Sequence, residues 1–448
     1  MNVNYLLLQN LLTLAYLICL LLIVIIFYRP FFLNNLYDKI GIFRLKYYYY
    51  FVPGIIGIVF FTFNYIIQSI YFEQVGGAGP ILDYYKTWLD LALHGLDPFD
   101  PNLYETWHPP MYGPLTLILF IAGLTIYNNP FAINLLLFLF YLGTVLVAVA
   151  FGKDLFQDRR YACTVGIITA LNPLLWYTAI TMLTTDIFVV FTILLISYLF
   201  FRIDKTGDSS KKKIVLIAGI STGILASLKF IPLIVFVGFL ISKLNFGIKD
   251  RIIATLSCGI TFLLIHIIAY YYWGLGIIKW AYIFPASLYG DFSPILLFSD
   301  YIPRYGEAII FVSSFPISIS LPLMFAGLLL AYTMVIRRGL SWSSTIVIMT
   351  AFYLVANKVH VAYFSWIIVI PILYALYYKK SEIAIPSFLI ILIPRLWSVF
   401  VEKKLGSTLE IYTQIMQIVL ILAMIITLLF LSNESMKVEK PNPKMFGR

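Results

Sequence analysis

Charge is scarce in this chain: 12% of its 448 residues are Asp, Glu, Lys or Arg, about half the share of an ordinary soluble domain. So few ionic groups cannot cover a water-soluble fold of this length, and no stretch is left over for a soluble domain of useful size. Cysteine is far scarcer, at three residues. Cys19, Cys163 and Cys258 all lie in apolar runs with neither paired spacing nor a CxxC, and they read as small buried hydrophobes. The four histidines are too scattered for a metal site, and no P-loop, GxGxxG after a strand, HExxH or GxSxG occurs. No metal, cofactor or nucleotide chemistry is expected from this inventory.

What is present is apolar. Hydrophobic residues make up 61% of the chain and aromatics 17%, and the mean hydropathy is +0.93. Long apolar runs recur from end to end, and about 20 such residues are needed per helical crossing. The expected fold class is therefore all-α: a single polytopic membrane domain over 1–448, with about 13 transmembrane helices (range about 11–14). Crossings are predicted near 5–28, 49–71, 130–151, 161–180, 184–201, 214–228, 230–243, 252–274, 309–336, 343–356, 361–378, 384–396 and 411–431. The first run has neither a basic flank nor a small-residue cleavage site and reads as a retained helix.

The net charge of +10 would suggest nucleic acid in a soluble protein. Here the bases collect in the connections 29–48, 152–160, 202–213 and 243–251, at Arg337–Arg338 and Lys379–Lys380, and in the tail 432–448. The positive-inside bias makes these cytoplasmic and removes the nucleic-acid reading. The loops 72–110, 181–186, 275–308, 357–360 and 397–410 then face outward. The alternation closes if 111–127 enters the membrane edge, or lies along it, without crossing. "DKTGDSSKKK" (204–213) reads as a solvated cytoplasmic loop.

The first external loop is chemically dense. Asp83, Asp90, Asp97, Asp100 and Glu105 share it with His94 and His108, and Lys86 is its sole strong base. Leu82, Tyr85, Leu89 and Leu93 fall at helical spacing before Gly95, which predicts an interfacial amphipathic helix with a glycine stop. Asp97 and Asp100, each before proline, read mainly as turn formers.

Asp83 has two readings: a first-turn acid favoured by the helix dipole, or a general base at the membrane surface. Asp186 opens another apolar run, either as an N-cap or as a carboxylate that faces a polar cavity or pairs with a cation. Lys229 interrupts the apolar stretch from Ile214 to Leu240, with Pro232 breaking the helix just after it. It either snorkels or holds an anion, for which phosphate is the obvious choice. Lys358, His360 and Tyr363 sit between two helices on the external side. Arg304 and Glu307 lie in the second external loop, and Arg395 near an external helix end. Either arginine could contact phosphate or be snorkelling or ion-paired. His266 reads as structural.

Asp83-Tyr84-Tyr85, "LHGLDPF" (93–99) and "WHPPMYGPL" (107–115) together resemble the first external loop of GT-C fold glycosyltransferases that use polyprenyl-phosphate sugars. The loop looks most like that of the family 87 polyprenol-phosphate-mannose-dependent α-mannosyltransferases. "NPLLWYTAITMLTTD", "GILASLKFIPL" and "HVAYFSWIIVIPIL" resemble later landmarks of the family in the same order, so the likeness extends over roughly 80–375. His108 departs from the aromatic more usual before Pro-Pro, Met111-Tyr112-Gly113 is interposed before Pro114, and one additional hydrophobic helix precedes the loop.

The resemblance implies an inverting transferase, a monomer in the bilayer of a prokaryotic cell, with its site on the extracytoplasmic face. It would move a hexose, mannose by this likeness, from a polyprenyl-phosphate donor to a lipid- or glycan-linked acceptor. It assigns Asp83 as base and Lys229, His360 and Arg304 to the donor phosphate. Asp186, Tyr84, His108 and Trp107 would orient sugar or acceptor. From a different class, a secondary transporter or lipid translocase also accounts for an intramembrane lysine and broken helices.

Overall fold

The computed structural model describes residues 3–29, 47–75, 80–104, 109–126, 131–181, 184–206, 208–242, 246–283, 309–312, 315–318, 320–356, 361–402 and 407–434. The chain is a helical integral membrane protein. Among the described residues, four helices are long and apolar enough to cross a bilayer: Asn10–Tyr28 within α1 (Val3–Tyr28), Ala132–Phe156 within α5 (Phe131–Phe156), α7 (Asp186–Lys205) and α10 (Ile248–Trp273). Between α5 and α7, α6 (Arg159–Leu171) continues into Pro173–Ala179 through a bend of 46°. The bend has a local cause: Pro173 has no N–H to donate back into α6, and Asn172 caps the new turn by accepting from the Leu174 N–H at 3.1 Å.

The remaining helices are α2 (Tyr48–Val75), α3 (Pro80–Leu93), α4 (Pro114–Ile126), α8 (Asp208–Ala226), α9 (Ile231–Ile241), α11 (Ser320–Arg338), α12 (Ser344–Val355), α13 (Val369–Tyr378), α14 (Ser381–Glu402) and α15 (Ser407–Glu434). Buried apolar side chains from α1 through α15 form one connected cluster. Helix α7 runs through its middle, with 72% of its span buried, whereas α10 has 17% and presents Leu263, Leu264, Ile267 and Ile268 outward. An apolar face of that extent is stable against lipid and not against water.

Several sequence expectations are corrected in detail. Residues 309–318 begin no helix: Ile309–Val312 pairs antiparallel with Phe315–Ser318, and α11 starts only at Ser320. The all-α description therefore carries one small hairpin. Residues 361–378 divide into a 3-10 turn, Val361–Ile367, and α13. "DKTGDSSKKK" is not a free loop, because α8 begins at Asp208 and Lys211 is buried against Asp250 at 3.3 Å. Helix α4, at 13 residues and ~20 Å, is short of the ~30 Å hydrocarbon core.

The amphipathic helix forms as α3. Tyr85, Trp88 and Leu89 are buried, whereas Leu93, the last residue of the predicted face, is exposed. Gly95 ends it in the left-handed region at φ 73°. Leu96 N–H bonds back to Leu91 O at 2.9 Å and Gly95 N–H to Ala92 O at 3.1 Å, a Schellman closure. The loop beyond is built from Asx turns: Asp97 accepts from Phe99 N–H, and Asp100 from Asn102 N–H, both at 2.9 Å. Phe99 is buried against Trp273 at the end of α10. Burial lifts the Asp97 carboxyl above its ordinary value, against the Phe99 N–H.

Candidate functional site

Helix α8 stops at Ala226 and α9 starts at Ile231, which leaves a four-residue break with Lys229 in it. Pro232 opens α9 at its second position, where its missing N–H costs nothing, so it begins a helix and does not end one. The carbonyls exposed by the break are taken up by the segment entering α4. Gly113 N–H donates to Leu228 O at 2.9 Å, Leu115 N–H to Ser227 O at 3.1 Å, and Thr116 Oγ1 to Leu228 O at 3.0 Å. Only a glycine permits this approach, because a Cβ at Gly113 would stand 2.1 Å from Ser227 O. The interposed Met111-Tyr112-Gly113 is thus the part of the loop ahead of α4 that docks on the turn between α8 and α9.

Lys229 is fixed by charge and by rings. Its Nζ lies 2.6 Å from Asp186 Oδ1, and Trp366 Nε1 donates to the same oxygen at 3.0 Å. The ammonium faces the rings of Tyr363 (4.7 Å to the centroid), Trp366 (4.8 Å) and Tyr112 (5.5 Å). Tyr363 and Trp366 stack at 4.2 Å because they are three residues apart in a 3-10 turn, where such side chains eclipse. The phenol of Tyr353 in α12 bonds to the Tyr363 carbonyl and fixes this turn from behind.

On the opposite side the rings continue outward. Tyr112 meets Trp88 at 5.7 Å and Tyr85 at 6.3 Å, and Tyr85 packs on Phe120 of α4. Burial pushes the Tyr112 phenol up to about 12, and the nearby Asp186 carboxylate adds to the shift; the hydroxyls of Thr185 and Tyr85 act against it. Tyr112 therefore remains a protonated donor at neutral pH.

No family model, characterised protein or solved structure matches the chain.

The fold thus unites Asp186 and Lys229, which are 43 residues apart. Two of the open alternatives are decided by this. Asp186 is the first residue of α7 and makes an ion pair, with Thr185 occupying the cap position. Lys229 does hold an anion, but it is the Asp186 carboxylate. Asp83 and Tyr84 fall at the fourth and fifth positions of α3, with side chains outside the described residues. Trp107, His108, Arg304, Glu307, Lys358 and His360 also lie outside the described residues.

Arg395 does not reach out of the bundle. It is buried, bonds to Thr13 of α1 through Nε at 3.2 Å and lies over the Tyr177 ring at 5.6 Å. His266 is structural as read: Nδ1–H donates to Phe262 O at 2.7 Å, so Nε2 accepts from the Tyr282 hydroxyl. Among the described residues no cluster of His, Cys, Asp and Glu is suited to a metal ion. The sequence reading passed over Trp366 and Gly113. The signal for Trp366 was its three-residue step from Tyr363. For Gly113 it was a glycine directly before a helix-opening proline, which marks a tight approach.

Proposed function

We propose that this chain is a multi-pass membrane glycosyltransferase of the GT-C type, with about 13 crossings and its acidic loop on the extracytoplasmic face of a prokaryotic membrane. It transfers a hexose, mannose by resemblance, from a polyprenyl-phosphate donor to a hydroxyl of a lipid- or glycan-linked acceptor. What carries the reading is the caged ammonium of Lys229 in the turn between α8 and α9, roofed by the same loop that supplies Asp83. An ammonium has three N–H donors and Asp186 takes one, so Lys229 retains donors for a donor phosphate while its own charge is already stabilised.

In this mechanism Asp83 takes the acceptor's hydroxyl proton as the acceptor oxygen bonds to the sugar's anomeric carbon from the face opposite the phosphate. The bond from that carbon to the phosphate oxygen breaks, and its electron pair leaves with the lipid phosphate. Lys229, His360 and Arg304 offset that growing charge. A single displacement inverts the centre, so a β-linked donor gives an α-linked product. Asp186 orients Lys229, while Tyr84, His108 and Trp107 orient sugar or acceptor.

The test is product formation by purified protein from radiolabelled polyprenyl-phosphate sugars and membrane lipid extract. We expect a glycosylated product with wild type and none with Asp83→Asn at unchanged melting temperature. Full activity of Asp83→Asn would overturn the mechanism. Solute uptake into proteoliposomes without any glycosidic product would overturn the class in favour of a transporter.

A further inference from the structure

A cavity lies far from Lys229. Asp186 opens α7, and Arg202 and Lys205 close it. At ~1.5 Å per residue these ends are separated by ~28 Å, about the thickness of the hydrocarbon core. At the Lys205 end is a cavity of about 930 Å³ between α5, α6 and α7, within the size range of small-ligand sites.

Its polar wall has an excess of positive charge: Arg159, Arg160, Arg202 and Lys205 face Asp154 and Asp158. Both carboxylates have local employment. Asp154 accepts from the Tyr198 hydroxyl at 2.8 Å and lies 3.7 Å from Arg202. Asp158 caps α6 by accepting from the Arg160 N–H at 2.7 Å. The rest of the wall is apolar or aromatic, with Tyr48, Phe156 and Tyr377 among its members. Phe156 and Leu155 are buried in the bundle, whereas Arg159 and Lys205 are exposed at the rim. A cationic rim over an apolar wall, at the level where helices leave the membrane, has the polarity of an anionic amphiphile in reverse.

We propose that this cavity binds the phosphate headgroup of an anionic membrane lipid, with Arg159 and Lys205 as the principal phosphate contacts. A dispersed basic surface serves orientation alone and attracts anionic lipid without a fixed partner. A built site differs in that its affinity depends on these two cations and not on equally exposed ones elsewhere. Lys212 and Lys213, in the first turns of α8, are the internal comparison.

The experiment measures binding of fluorescent phosphatidic acid to detergent-purified full chain, with inorganic phosphate and phosphatidylcholine as competitors. We expect saturable binding that phosphatidylcholine leaves intact. Arg159→Gln/Lys205→Gln should weaken it on the order of tenfold, and Lys212→Gln/Lys213→Gln by less than about twofold. Displacement by millimolar inorganic phosphate would support the same phosphate site with a free phosphate as its source, and no displacement would assign it to the lipid. Equal losses in the two double variants, or none in either, would overturn the proposal. Size-exclusion profiles and melting temperatures of both variants exclude misfolding as the cause. The outcome is independent of glycosyl transfer, since neither pair touches the Lys229 region.

Discussion

Asp186→Asn isolates the energetics of the caged lysine. The substitution keeps the shape of the side chain and an oxygen for Trp366 to bond, and removes only the charge beside Lys229. The side chains of Asp186 and Lys229 are 5% and 15% exposed, so the pair is buried. Deleting one member of such a pair costs about 3–5 kcal/mol, because the other is left charged and poorly solvated. Three ring faces partly offset that loss at ~0.5–2 kcal/mol each, and residual exposure lets water help. We therefore expect ~3 kcal/mol for Asp186→Asn and a similar value for Lys229→Met. The double variant, which leaves no buried charge, should lose only ~1–2 kcal/mol, a coupling of ~4–5 kcal/mol against the sum of the two singles. SDS titration of the four proteins in mixed micelles, followed by far-UV circular dichroism, measures all sides of the cycle. A coupling below ~0.5 kcal/mol would refute the view that the two charges stabilise each other in a dry setting.

Two further variants probe the surroundings of the pair, and a third, in α2, is their control. Gly113→Ala drives a methyl group into Ser227 O and must lift the loop from the end of α8, breaking two backbone hydrogen bonds; we expect ~2–4 kcal/mol of destabilisation. Gly54→Ala in α2, whose Cβ meets nothing within 4 Å, should be neutral or slightly stabilising. Trp366→Phe keeps a ring beside the ammonium but deletes the N–H donated to Asp186, at an expected ~1.5 kcal/mol. Thermal denaturation in detergent reads all three, and a Trp366→Phe protein as stable as wild type would show that the ring alone matters.

Much of the helical layout was legible because lipid leaves few solutions. A chain that must satisfy every backbone group internally forms helices wherever apolar runs reach crossing length, so α1, α5, α7 and α10 stand where the runs do. Gly95 and the Asx turns of 97–102 were legible for a local reason, since φ above zero and short polar side chains act within a few residues. Boundaries failed where two structures share one hydropathy. The hairpin at 309–318 and the 3-10 turn at 361–367 are as apolar as the helices they precede, and hydropathy alone does not distinguish them.

The sequence alone, then, determined that this protein lives in a membrane and where its long apolar helices run, and it singled out Asp186 and Lys229 as charges that need a cap, an interface or a partner, because an isolated charge in that setting is too costly. It did not say that they would partner each other. That choice belongs to the tertiary structure: the start of α7, the break after α8 and the turn carrying Tyr363 and Trp366 are brought together by packing along α7. Gly113 then lets the loop ahead of α4 close over them. Pairing across 43 residues depends on which helix faces which, and that is decided by how side chains and small residues interlock, a property no single segment contains.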